Sequence, residues 1–161
     1  MQKGQIFVLG AIGVVVALFL IMPNLQREIY LPSTDYSLLN NIAKEYNYWI
    51  AYSSLEENYN ILNFGTFVKE HYPNLEFFYL LADSKNIKVA NFFDTKINFS
   101  INNKKFSLEQ NNSVEMNFSD EINFSSNCKN FSYIPKNKFS GAIFLRIDKG
   151  ISKIQLLKIF E

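Results

Sequence analysis

The sequence predicts an α+β chain: an N-terminal transmembrane helix, two amphipathic helices, then a small antiparallel β-sheet or sandwich. Three observations predict it. Residues 6–22 form an apolar run without a charge. Between residues 35 and 72 apolar side chains recur at three- and four-residue spacing. From Leu75 onward come short runs rich in Phe, Ile and Val, separated by turn residues. The expected boundaries are a cytoplasmic leader at 1–4, a membrane segment at 5–23, a helical segment at 24–74 and a β head at 75–161.

The run Ile6–Met22 is seventeen residues long, which as a helix spans roughly 25 Å and reaches the lower bound for crossing a bilayer. Lys3 lies before the run, whereas Arg27 after it is offset by Glu28. This asymmetry predicts a cytoplasmic N-terminus, a cell-membrane location and an extracellular bulk, with membrane lipid as a partner. Gly10, Gly13 and Ala17 place small side chains along the run, and Gly13 and Ala17 share a face. Such spacing permits close helix packing in lipid, although Gly and Ala are common in any membrane helix.

Outside the run, Ser33-Thr34-Asp35 supplies N-cap candidates for a helix carrying Leu39, Ile42, Tyr46, Trp49 and Ile50 on one face, to about Glu57. A shorter helical pattern from about Tyr59 uses Ile61, Leu62, Val68 and Tyr72, with Gly65 costing it about 1 kcal/mol. The strand expectations are Leu75–Ala82, Ile87–Phe93, Lys96–Ile101, Lys104–Leu108 and Val114–Phe118. Asp83-Ser84-Lys85-Asn86 and Asn102-Asn103 are turns between them. Ser119–Ser140 has no clean pattern. Ala142–Ile147 alternates, and Asp148-Lys149-Gly150 turns it into Ile151–Phe160 as a terminal hairpin.

Composition excludes several functions. Sixteen basic against fifteen acidic residues leave no cationic field for nucleic acid. One Cys, Cys128, forms no internal disulfide, and one His, His71, builds no multi-histidine metal cage. There is no Gly-rich phosphate loop, zinc spacing or calcium loop. The residues therefore point to no cofactor, no metal and no enzyme. Glu56-Glu57 and Asp120-Glu121 read as solvated faces rather than halves of a catalytic pair. Trp49, Tyr46, Tyr48 and Tyr52 form an aromatic cluster that suits core packing or a membrane interface, with a sugar or partner platform as the alternative.

Five N-x-S triplets begin at Asn98, Asn111, Asn117, Asn123 and Asn130, four of them Asn-Phe-Ser. With 20 Asn and 17 Ser or Thr in 161 positions, chance supplies roughly two. The excess has two readings: glycan attachment, or strands that turn Phe inward and Asn and Ser outward. A bias toward Asn, Ile, Lys, Phe and Tyr with two Arg also matches an AT-rich coding sequence.

Lys3-Gly4-Gln5 followed by the apolar run resembles the class III signal of archaeal type IV pilin-like proteins. The residues after the run offer no small-residue cleavage motif and no lipid-accepting Cys. The resemblance implies cleavage by a prepilin-type peptidase between Gly4 and Gln5, retention of the apolar segment, and related pilin subunits as partners. It covers about 22 residues; Leu9 stands where many members carry an acidic residue, and Pro23 and Pro32 interrupt the continuous helix of filament-forming members. A plain uncleaved signal anchor, whose ectodomain binds a partner or glycan outside any filament, is the alternative.

Overall fold

The computed structural model describes residues 34–55, 60–84, 86–118, 121–137, 139–150 and 152–161. They belong to one compact unit, Thr34–Glu161. Two helices, α1 (Thr34–Ser53) and α2 (Leu62–His71), precede nine strands: β1 (Glu76–Ala82), β2 (Asn86–Asn91), β3 (Ile97–Ile101), β4 (Lys104–Leu108), β5 (Asn112–Asn117), β6 (Ile122–Ser126), β7 (Asn130–Tyr133), β8 (Ser140–Asp148) and β9 (Lys153–Phe160).

The strands form two antiparallel sheets, a first of order β5-β2-β1-β8-β9 and a second of order β4-β3-β6-β7. The chain visits them alternately: β1 and β2 in the first, β3 and β4 in the second, β5 in the first, β6 and β7 in the second, β8 and β9 in the first. β1 explains the layering. Its Phe77, Tyr79 and Leu81 join a core with α1 and α2, while Phe78, Leu80 and Ala82 join a second core against the other sheet. β8 does the same, with Ile143 and Leu145 toward the helices and Ala142 and Phe144 toward the second sheet. β1 and the Gly141–Leu145 stretch of β8 are buried on both faces, so each is a continuous run, and the alternation expected over Ala142–Ile147 fails because Ala142 and Phe144 are as buried as Ile143 and Leu145. Arg146, at the end of β8, pairs with Glu76 at 2.6 Å and lies 4.7 Å above the Phe93 ring.

α1 buries Leu39, Ile42, Ala43, Tyr46 and Ile50 along one stripe, as the spacing predicts. It ends at Ser53 rather than near Glu57, which lies outside the described residues. α2 starts where the Asn60 side-chain carbonyl accepts from the Leu62 amide at 2.9 Å. Its Gly65 lies against the ring of Phe92, which a Cβ would strike at 1.9 Å. The residue that weakens the helix is thus the one that lets it reach the sheet.

The predicted fold class needs correction. Of the described residues 46% are strand and 25% helix, arranged as two antiparallel sheets with two short helices, so the unit is mostly β rather than α+β. The difference arises because Ser119–Ser140, which carries no clear pattern, supplies β6 and β7 and completes the second sheet. Among the described residues no helix is long and apolar enough to cross a membrane. α1 is long enough but has an apolar stripe on one side and exposed Asn41, Lys44, Glu45 and Asn47 on the other. Residues 5–23, with their expected membrane span, lie outside the described residues. The expectation of antiparallel β structure fits.

Candidate interaction surface

Two surfaces of the unit combine unusual residues with an accessible shape. The first is a hollow of about 350 Å³ between the helices, lined by Glu45, Tyr48, Trp49 and Tyr52 of α1 and Asn63, Phe64 and Phe67 of α2. Its floor is rigid. Trp49 stacks on Tyr46 with centroids 5.8 Å apart and meets Phe64 at 5.7 Å, and both Trp49 and Phe64 pack against Tyr79. Its rim is wet: Tyr48 is 67% exposed and Phe67 54%. Large apolar side chains left in water beside a preformed hollow are what an interaction surface requires.

Two buried phenols hold this floor. Tyr46 Oη donates to the Leu80 carbonyl at 2.7 Å, through space that exists because residue 141 is Gly: a Cβ there would lie 2.7 Å from that oxygen and 2.8 Å from the Leu80 carbonyl. Tyr79 Oη donates to the Ile61 carbonyl and accepts from the Gly65 amide at 3.2 Å, tying the start of α2 to β1. Burial pushes the Tyr79 phenol well above its ordinary range.

The second surface is the outer face of the second sheet. Asn98 and Ser100 on β3, Lys105 and Ser107 on β4, Asn123 and Ser125 on β6 and Asn130 and Ser132 on β7 occupy matching register positions and point away from the core. A shallow depression of about 560 Å³ crosses it. Ser107 Oγ donates to Asn98 Oδ1 at 2.7 Å, and Ser125 Oγ to Asn130 Oδ1 at 2.9 Å. Beneath, the central residues of the triplets form an aromatic row with Phe106 from β4: Phe106–Phe99 5.5 Å, Phe99–Phe124 5.4 Å, Phe124–Phe131 4.9 Å.

No known protein family, curated protein or solved structure matches this chain.

The predicted site residues distribute as follows. Gly4 and Gln5, and the packing residues Gly10, Gly13 and Ala17, lie outside the described residues. All five sequon asparagines are exposed: Asn98, Asn123 and Asn130 on the outer face, Asn117 at the end of β5, and Asn111 in a turn with φ 56°. The aromatic cluster divides, with Tyr46 in the core, Trp49 partly buried and Tyr48 and Tyr52 at the rim. Its missing half, Phe64 and Phe67, comes from the second helix. An i, i+4 pairing of Asn63 and Phe67 beside Phe64 was the available signal, but nothing in one helix says which other it faces.

His71 is exposed, with Nδ1 2.8 Å from the Phe67 carbonyl and its ring 4.5 Å from that of Phe67. Glu121 is exposed; Glu56, Glu57 and Asp120 lie outside the described residues. Cys128 is partly buried, and that burial raises its thiol. Among the described residues no three His, Cys, Asp or Glu side chains are grouped to hold a metal.

Proposed function

We propose that this chain is a cell-surface interaction protein of pilin-like type. In this reading a prepilin-type peptidase cuts between Gly4 and Gln5, apolar residues 6–22 attach the chain at the cell membrane, and the unit Thr34–Glu161 faces outward as a non-enzymatic head. The observation that carries it is Lys3-Gly4-Gln5 set directly before an apolar run and ahead of a unit that holds its own two cores. Glycans on one or more of Asn98, Asn111, Asn117, Asn123 and Asn130 belong to the same reading, supported by the exposure of all five. Sequencing the mature N-terminus tests it: a chain beginning at Gln5, and loss of that product in Gly4→Leu, is the expected outcome. Identical N-termini in wild type and variant would remove the pilin-like reading.

The aromatic hollow favours a second reading, an uncleaved anchored ectodomain that binds a partner or glycan without entering a filament. Tyr48, Tyr52 and Phe67 supply flat apolar faces and Glu45 and Asn63 supply polar groups beside them, a composition suited to a partner side chain or a sugar ring. A retained Met1 would select this reading.

A further inference from the structure

Among the described residues the two sheets have four edges, and three are guarded. β4 carries Lys104 and Lys105. β7 is four residues long. β5 is lined with exposed Asn112, Ser113, Glu115 and Asn117. These are familiar means of preventing one sheet from pairing with another. β9 is less protected: its two lysines, Lys153 and Lys158, are spread over eight residues, Lys153–Phe160, and five of the others are Ile154, Leu156, Leu157, Ile159 and Phe160. It pairs with β8 along its whole length, and no other described strand takes its outer edge.

We propose that β9 is a self-association edge, at which a second copy of this chain pairs antiparallel and joins two five-stranded sheets into one. The centre and the two ends of β9 are self-complementary under a two-fold axis normal to the sheet. Such an axis keeps each face on its own side, so opposed residues share a face and their numbers sum to an even value. With Leu157 opposite the second copy's Leu157, Ile154 meets Phe160 and Lys153 meets Glu161, apolar against apolar and cation against anion. This register also sets Lys158 against Leu156, as centring on Leu156 would set it against Ile154, but of the three it alone brings Lys153 opposite Glu161; centring on Lys158 would oppose like charges. Lys153 and Glu161 now pair with Asp148 and Lys136 on exposed surface, where ion pairs are weak and exchange readily. The inference goes beyond the proposed function and holds whether or not the leader is cut.

Single cysteines placed at each position from 153 to 160 of the full-length chain, in a Cys128→Ser background, test it by oxidation and non-reducing electrophoresis. Residues facing themselves across an antiparallel pair have Cα atoms about 4.5–5.5 Å apart, within disulfide range. Dimer yield is expected to peak at Leu157→Cys, at least fivefold above Lys105→Cys on the guarded β4 edge. Absence of a β9 dimer, a yield equal to that of Lys105→Cys, or a maximum at another position would overturn the proposal. A charge exchange gives a second readout that does not disturb the apolar residues. Lys153→Glu should lower the Leu157→Cys yield and adding Glu161→Lys should restore it, since the double change re-forms the pair between copies while leaving Asp148 and Lys136 facing like charges; failure of the double change to restore the yield also counts against the proposal.

Discussion

Single residues decide how the layers of this molecule approach one another. Gly65 brings α2 within contact of Phe92, so Gly65→Ala should destabilise by about 1–3 kcal/mol although Ala favours helices, because the added methyl must displace a buried ring. A lowered denaturant midpoint with unchanged slope is the expected result. Asn91 is fully buried at the end of β2; its Nδ2 donates to Thr95 and Leu108 carbonyls at 3.1 and 3.0 Å, and its Oδ1 accepts from the Phe93 amide at 2.9 Å. It pins the chain where it leaves the first sheet for the second. Asn91→Leu keeps the volume but strands these buried groups and should cost about 3 kcal/mol or more in chemical denaturation. The buried phenols set an alkaline limit. Burial pushes Tyr133 from 10.0 up to about 12 and raises Tyr79 further. The folded state therefore keeps protons that the unfolded chain releases, so stability is full below about pH 10 and falls as pH rises from about 10 to 12. Tyr133→Phe should flatten that part of a stability-against-pH curve; an unchanged slope would mean the phenol titrates as if exposed.

At the scale of elements, the repeated Asn-Phe-Ser triplet has a structural use. In β3, β6 and β7 the middle residue joins the aromatic row under the second sheet while its neighbours face water, which is the period-2 geometry of a strand covering one core. Each fully buried Phe is worth roughly 1.5–3 kcal/mol, so Phe124→Ala, which removes the ring in contact with Phe78, Phe99 and Phe131, should be among the most damaging changes in this sheet, at about 3–5 kcal/mol. The terminal strand matters in the same way. β9 pairs with β8 from Asp148↔Lys153 to Gly141↔Phe160 and places Leu156 in the helix-facing core. Removing residues 151–161 would expose β8 along its length. Loss of the cooperative melt is expected, and an unchanged melting curve would make β9 an appendage.

At the scale of the whole unit, β1 and β8 are shared by both cores, so neither the helices nor the second sheet holds a core of its own. The unit Thr34–Glu161 should therefore unfold in one step. A chain beginning at Thr34 should give one calorimetric transition with matching calorimetric and van't Hoff enthalpies. Two separate transitions would show that the sheets melt independently and that β1 does not couple them.

The sequence by itself determined what depends on neighbours along the chain. The stripe of α1, the shorter α2, the hairpin turns at Asn102-Asn103 and at Asp148-Lys149-Gly150, and the strands around them are local, because helix and strand periods and positive-φ turn residues act over a few positions. The uncharged apolar run of residues 6–22, and Lys3-Gly4-Gln5 before it, are likewise read from neighbouring positions alone. Tertiary structure alone decided what depends on residues far apart. It set the pairing of β1 with β8 and of β3 with β6, the strands within Ser119–Ser140, the two-sheet class, and the meeting of Tyr48 and Trp49 with Phe64 and Phe67. A continuous apolar run such as Phe77–Ala82 has no period to reveal which side meets which partner, since both sides are buried. The second sheet's short strands are stabilised by the rings that neighbouring strands bring to them, and that free energy is present only once the sheets have packed.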